Sequence, residues 1–352
     1  MATIPTGFRI RSFAARLTRR ARSMIPGRRT TYVSQRVEEY RRYWSDAAAA
    51  VGASFEELLP GVWSVRRGDQ HTVLANYVTQ CDDPIILQLA GDKPYGYRLA
   101  MEAGVPVPDH RILELRRFSE GVDFLEQAGG PLVVKPATGT SSGLGVTTAV
   151  RTRRQLASAV VLAALFDERL MVERMIPGES YRILYLEGCA IHAVRRRGLR
   201  LRGDGRSVSE LLRAAGHGPL TRDPLVRETL AAQHLTLDTV PPDGEEVLVC
   251  GLPLRSNRHE LRTVYDESVL DRCCPELLRE GAAVVRALGS ELAGVDIITT
   301  DPSVPLRKST GAFIEINTTP GIHHHYVGET KGRTPPVAVT VLEYLLTRKA
   351  GC

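Results

Sequence analysis

No stretch of this 352-residue chain approaches the continuous apolar run of about 18–20 residues that a membrane-spanning helix needs. The apolar segment "LASAVVLAALF" (156–166) is too short for a span and reads as a buried helix. No CxxC pair exists among the six cysteines, Cys81, Cys189, Cys250, Cys273, Cys274 and Cys352. The adjacent Cys273 and Cys274 are awkwardly placed for a structural bridge, so reduced thiols and a cytoplasmic location are expected. The net charge of +6 and pI near 9.1 come without a helix-turn-helix, a zinc signature or a patterned aromatic–basic stripe, so nucleic acid is not an expected partner. The first thirty residues contain no acid, only many arginines, and lack the continuous apolar core of a secretory signal. They resemble a transit peptide or a membrane-surface helix. The plainer reading is a solvated basic arm, helical over Phe8 to Ser23 and open to weak membrane or partner contact. Repeats and low-complexity tracts are missing as well.

What is present is an ordinary globular composition, 43% hydrophobic and 24% charged, long enough for two or three subdomains packed as one unit. The basic excess is carried mostly by arginine, whose planar fork grips the paired oxygens of carboxylates and phosphates. Val37, Tyr40, Trp44 and Ala48 recur at helical spacing and Gly52 ends the run. Short strand-like pieces follow, "GVWSVRR" and "HTVLANYV", with "PIILQLA" behind them. Asp92 caps a helix with Pro94 in its first turn, and Gly104 stops it. A short helix over 119–128, the strand "GGPLVVKPA", a helix over 152–166 and the strand "RLMVERMI" come next. "YRILYLEGCAIHAVRRRG" reads as a hairpin turning at Glu187–Gly188, and "SVSELLRAAG" as a small helix opened by a serine cap. "VPPDGEEVLVC" carries a Pro-Asp-Gly turn, and "PELLREGAAVVRALG" is amphipathic. The strands "LAGVDIITT" and "GAFIEINTT" close the series. Interleaved strands and helices with antiparallel hairpins define an α/β to α+β class.

Four features carry chemistry. In "LVVKPATGTSSGLGV" a strand delivers Lys135 beside a loop whose Gly139, Gly143 and Gly145 let backbone N–H groups approach an anion, with Thr140, Ser141 and Ser142 adding hydroxyls. The spacing is neither a P-loop nor a dinucleotide fingerprint, and an ordinary strand with a floppy turn has the same letters. Glu315 and Asn317 lie two apart on one strand and so share a face, and Asp296 sits on the strand before. Oxygen donors inside apolar runs suit a magnesium site, against the alternative of solvated acids on edge strands. Glu173 ends a strand before the Pro177–Gly178 turn, where it is either an exposed strand-end acid or a contact for an adenine edge. Arg182, Arg195 to Arg197, Arg255, Arg258 and Arg262 are candidates for holding a carboxylate or a transferring phosphoryl group.

Taken in order, "GDKPYGYRLAMEAGVPVP", "VVKPATGTSSGLGV", "VERMIPGESYRILYLEGCAIHAVRRRG", "RGDGRSVSELL", "LAGVDII" and "IEINTTPGIHHH" resemble the ATP-grasp superfamily, above all the ATP-grasp module of cyanophycin synthetases and glutathione-forming ligases. The resemblance runs from about residue 90 to the C-terminus. It implies two α+β subdomains clasping ATP. A basic arm (1–30) and an N-terminal α/β region (31–90) would precede an N-terminal and lid subdomain (91–178) and a catalytic subdomain (179–352) with a helical insert near 203–245. It further implies that Lys93 and Lys135 contact ATP phosphates, that the 138–145 loop is the lid, and that Glu173 reads the adenine amino group. Asp296, Glu315 and Asn317 would hold magnesium, two ions replaceable by manganese, and Arg182 and Arg195 would flank the nucleotide and an acyl phosphate. His325 matches a histidine after the "PG" turn. His323 and His324 have no counterpart, and the triple histidine is expected to form an exposed patch rather than a metal site.

Three departures accompany the match. Ser180 stands where relatives place an acid for the ribose, with Glu179 one position early. Cys250 replaces an arginine, for which Arg255 is the nearby substitute. "LRSNRHELR" replaces the family's substrate-side loop. Cyanophycin synthetases also carry a separate N-terminal domain and a Mur-ligase-like C-terminal domain, neither expected here. The implied activity is an ADP-forming carboxylate–amine ligase joining amino acids or short peptides through an acyl phosphate, in a homo-oligomer. A small-molecule kinase and a non-catalytic ATP-binding module are the alternatives.

Overall fold

The computed structural model describes residues 37–348 apart from 82, 139–144, 232, 251–266 and 327–336. The basic arm, most of the glycine-rich loop and the segment holding Arg255, Arg258 and Arg262 lie outside the described residues.

Helix α1 (Val37–Ala50) turns its Tyr40, Trp44 and Ala48 face inward, as their spacing requires. It packs beside an antiparallel three-stranded sheet, β1 (Ser54–Leu59), β2 (Val62–Arg67) and β3 (Gln70–Ala75). Pro84–Ala90 is helix α2, capped by the Asp83 carboxylate on the N–H groups of Ile85 and Ile86. Helix α3 (Lys93–Glu102) begins where Asp92 Oδ1 accepts from Tyr95 N at 2.9 Å.

The next sheet is antiparallel in the order β4-β7-β5-β6: β4 (His110–Glu114), β5 (Leu132–Pro136), β6 (Thr147–Val150) and β7 (Arg169–Arg174). Helices α4 (Phe118–Ala128) and α5 (Arg153–Ala163) cover it, and Phe124, Leu132, Leu156 and Leu170 fill the space between. Gly178 links this sheet to the next. A Cβ there would lie 2.3 Å from the Thr299 carbonyl carbon, and its φ of +117° suits only glycine, so the Pro177–Gly178 crossing is fixed by backbone contact.

The central sheet has five antiparallel strands in the order β12-β9-β8-β13-β14. Strands β8 (Glu179–Leu186) and β9 (Cys189–Arg196) form a hairpin through Glu187–Gly188. Strands β10 (Leu199–Arg202) and β11 (Glu246–Cys250) pair with each other and, with α6 (Val208–Ala214) and α7 (Pro224–Ala231), enclose a separate small core that includes Cys250. Strand β12 (Glu267–Ser268), helix α8 (Pro275–Leu288), and strands β13 (Leu292–Thr299) and β14 (Ala312–Thr318) complete the sheet region. Helix α9 (Val337–Thr347) returns to α1, so Val341 and Leu345 share a core with Trp44 and Trp63. Arg67 reinforces this closure with two hydrogen bonds to Glu343, 2.7 and 2.8 Å.

One face of the central sheet is apolar. Tyr181, Ile183, Tyr185, Val295, Ile297 and Phe313 pack there against α3 and α8. The opposite, charged face carries Arg182, Asp296 and Arg196 beside the apolar Leu184, Leu186 and Leu292, while Arg195, Glu179 and Glu267 lie at the β9–β12 edge of the first face. Among the described residues no helix is long and apolar enough to cross a membrane, and no disulfide forms.

Candidate functional site

Lys135 and Glu173 meet because of strand register. Val133 lies opposite Glu173 and Lys135 opposite Met171, so the lysine and the glutamate are diagonal neighbours on one face. Lys135 Nζ donates to Glu173 Oε1 at 2.8 Å, and both side chains are 5% exposed. The Tyr97 hydroxyl, delivered by α3, donates to Glu173 Oε2 at 2.7 Å and accepts from Lys135 Nζ at 3.1 Å. Glu173 is therefore not an exposed strand-end acid.

Lys93 opens the same helix and donates its backbone N–H to Ala137 O at 3.0 Å, which ties α3 to the end of β5. The Lys93 residue is 8% exposed. Burial depresses its pKa, the Lys135 charge depresses it further, and Glu315 and Glu173 act in the opposite sense. Lys93 thus lies within electrostatic reach of both the Lys135–Glu173 pair and a carboxylate of the central sheet.

Asp296 is paired across the central sheet with Glu315 on one side and Arg182 on the other. Directly opposed residues point to the same side of a sheet, so all three gather on the charged face. Arg182 holds Asp296 by two bonds, Nε to Oδ1 at 2.7 Å and Nη2 to Oδ2 at 2.6 Å. With its amide oriented to suit its neighbours, Asn317 donates to Glu315 Oε1 at 3.2 Å and accepts from Arg182 Nη2 at 3.3 Å. Arg182 takes up the Asp296 carboxylate, whereas Glu315 has no guanidinium bonded to it among the described residues, so the cluster keeps a set of hard oxygen donors. That chemistry fits a magnesium ion bound together with phosphates. Among the described residues no group of three or more His, Cys, Asp or Glu forms a metal cage by itself.

Register also separates the arginines. Arg196 lies opposite Ser180, two residues from Arg182, so it faces the Asp296 side. Arg195 lies opposite Tyr181 and faces the other way, where it pairs with Glu267 and, at 3.7 Å, with Glu179. The expectation for Arg195 meets a side chain turned from the carboxylate cluster, while Arg196, named with it only as one of the run Arg195 to Arg197, is the one that faces it. The tight turn alone, with Leu186 opposite Cys189, would carry Arg195 to the Arg182 side; the register shift between Leu184 and Tyr185 brings Arg196 there instead. Glu179 follows the Arg195 side, and Arg200 also pairs with it at 3.4 Å, so Ser180 alone of the two ribose candidates faces the cluster.

The histidine run requires a correction. The expected exposed patch is instead a buried 3-10 turn, with His323, His324 and His325 at 4%, 5% and 1% exposure. His323 Nδ1 bonds the Tyr40 hydroxyl at 2.7 Å, and His325 Nδ1 meets His192 Nδ1 at 2.7 Å. His192 Nε2 reaches Ser268 Oγ at 3.2 Å. Burial, with Arg182 and Arg196 nearby, pushes His324 and His325 well below the ordinary imidazole range. In the glycine-rich loop, only Gly145 of the candidate glycines is described. Its φ is +77°, and a Cβ would lie 2.7 Å from Phe166 and 2.9 Å from Pro136, so packing demands glycine there. Gly139, Thr140, Ser141, Ser142, Gly143 and Arg255 lie outside the described residues.

Comparisons with known proteins follow this geometry. A family model described as the C-terminus of D-ala D-ala ligase matches residues 99–196. Cyanophycin synthetase of Trichormus variabilis is 32% identical over 273 residues, 74% of this chain. The chain belongs to the ATP-grasp superfamily. A second relative of the ATP-grasp chain, the glutathione biosynthesis bifunctional protein of Streptococcus mutans, is 27% identical over 270 residues, 70% of this chain and 34% of that protein. The bifunctional glutathione synthetase of Pasteurella multocida shares the fold, with a TM-score of 0.57 at 22% identity over 87% of this chain and 43% of that one. The ATP-grasp chain spans 29% of the length of the Trichormus relative.

Proposed function

We propose that this chain is an ATP-dependent, ADP-forming carboxylate–amine ligase acting on amino acids or short peptides. The observation that carries the reading is the placement of Lys93 at the start of α3, tied by its backbone to Ala137 at the end of β5 and four residues before Tyr97, which bonds both Lys135 and Glu173. A polyphosphate suits that space, because it would satisfy a desolvated ammonium while bringing negative charge toward a metal-binding carboxylate. Lys93 and Lys135, with the glycine-rich loop after Lys135, hold the triphosphate. Asp296, Glu315 and Asn317 hold magnesium, which when bound offsets phosphate charge.

A substrate carboxylate oxygen attacks the γ-phosphorus, the bond to the β-phosphate oxygen breaks, and ADP leaves. Arg182 and Arg196 face the developing acyl phosphate and offset its charge. The amine nitrogen then attacks the acyl carbon, the C–O bond to phosphate breaks, and inorganic phosphate departs as the nitrogen loses a proton. Positioning and electrostatics supply the rate enhancement without a dedicated base.

The test is a matrix of amino acids and dipeptides, in pairs, scored for phosphate release and checked by product mass. A ligase releases ADP and phosphate only with acid and amine together and yields a product lighter by one water than their sum. Phosphate retained on an acceptor would identify a kinase, and nucleotide binding without turnover on any pair would identify a regulatory module.

A further inference from the structure

We infer that Tyr97 is a positioning residue for nucleotide binding, which with Glu173 forms a closed cradle that holds the Lys135 ammonium toward the phosphates. The inference rests on the reading of Lys135 as a phosphate ligand. It gives Glu173 a role different from the base reading that the resemblance implies.

The three side chains come from three elements, α3, β5 and β7, and every polar contact among them is made. Glu173 Oε1 accepts from Lys135 and Oε2 from Tyr97, while the phenol oxygen also accepts from Lys135. The ammonium additionally lies 5.1 Å from the Tyr97 ring centroid. The ring is itself fixed edge-on to His110 at 4.9 Å and to Phe313 at 6.1 Å. Tyr97 is fully buried, and burial followed by Glu173 raises its pKa well above the ordinary phenol value, so it remains a donor throughout the working range. A lysine side chain has four rotatable bonds, and a cradle that fixes its head group lowers the ordering cost of phosphate binding.

A carboxylate with both oxygens committed to the cradle contributes to ATP binding through the lysine, and so without regard to the base. Tyr97 also shares α3 with Lys93, four residues earlier, so one rigid helix sets both cations relative to each other.

The experiment measures the dissociation constants of AMP-PNP and GMP-PNP with magnesium by calorimetry, on the full chain and on Tyr97→Phe, Glu173→Gln, Lys135→Met and the Tyr97→Phe/Lys135→Met pair. Melting curves confirm folding, and Glu173→Gln serves as the second route to the cradle if Tyr97→Phe does not fold. Tyr97→Phe is expected to weaken both nucleotides by the same factor, at least about tenfold, the loss expected for hydrogen bonds to charged groups. Glu173→Gln should do likewise with an unchanged ratio between the two. In the Lys135→Met background, Tyr97→Phe should add nothing, because the cradle then has no cation to hold. Additive losses, an unchanged affinity in Tyr97→Phe, or a loss confined to AMP-PNP would overturn the inference while leaving Lys135 as a phosphate ligand. Wild-type affinity in Lys135→Met would overturn that reading and the inference with it.

Discussion

The charged face of the central sheet has two ends that are differently buried and differently built. Toward β14, Arg182, Asp296, Glu315 and Asn317 keep two carboxylates beside one guanidinium. Toward β9, His192 bonds His325 and Ser268, and His323 bonds Tyr40. The first cluster is electrically incomplete. The second carries no carboxylate and is neutral, because burial holds His192 at about 4 and lowers His324 and His325 well below the ordinary imidazole value. Buried polarity is therefore a poor guide to function, whereas a charge left uncompensated is a good one: folding alone does not favour two opposed carboxylates.

That contrast breaks most visibly on substitution of Glu315. Glu315→Ala should lower magnesium-dependent turnover by at least about 100-fold, the scale of a lost electrostatic stabiliser. The same change should leave the melting temperature unchanged or slightly raised, since it relieves repulsion with Asp296. His192→Ala should show the reverse pattern: a loss of stability of about 2–4 kcal/mol, as for a large buried side chain, with turnover per folded molecule retained. Steady-state kinetics and denaturant titration on both variants check the pair. Full activity in Glu315→Ala would remove the metal assignment.

A smaller effect sharpens the comparison between the two faces rather than the two ends. Arg196→Met is expected to lower turnover about 10- to 100-fold by removing a charge from the Asp296 side. Arg195→Met, one residue away on the apolar side, should change turnover less than about threefold. Its cost should be about 1 kcal/mol of stability from the ion pairs with Glu179 and Glu267. Equal kinetic losses in the two variants would mean that strand register does not sort these arginines by role.

Much of the molecule is legible in the sequence where a local rule has no competitor. Asp92 and Ser207 cap the helices they were expected to open, and Glu187–Gly188 turns the hairpin. The segment "PIILQLA" is harder, because a short apolar run fits a strand or a helix. The Asp83–Pro84 pair ahead of it was the available start signal. Two kinds of information were not local. Facing depends on register, and a shift of one residue moves every side chain to the other side, which is why Arg195 and Arg196 exchange places between expectation and structure. Burial depends on what folds over a segment. The histidine run looks solvated until α1 brings Tyr40 to His323 across 283 residues, and Tyr97 looks like an ordinary helix position until β5 and β7 place Lys135 and Glu173 beneath it.

The last expected effect, seen only on acidification, concerns the neutral end of the charged face. His192 sits at about 4 in the folded chain against an ordinary 6.5. Between those values the unfolded chain binds the proton and the folded chain does not, so stability falls as the pH drops from 6.5 toward 4. His324 and His325, also lowered by burial and facing Arg182, Arg196 and His323, act in the same direction. From pH 7 to pH 5 His192 alone should cost about 2 kcal/mol, because each pH unit inside the window is worth about 1.4 kcal/mol per proton. Denaturant titrations at the two pH values should show that loss in the wild-type chain. In His192→Gln, which retains a polar side chain beside Ser268 but does not titrate, the loss should shrink by about the same 2 kcal/mol. Glu267 works in a lower window: its arginine partners hold it below the ordinary carboxylate value, so its contribution fades only at more acidic pH. Identical pH slopes in the two proteins would place the acid sensitivity elsewhere, and the histidine end would then lose its claim to be the neutral counterpart of the carboxylate end.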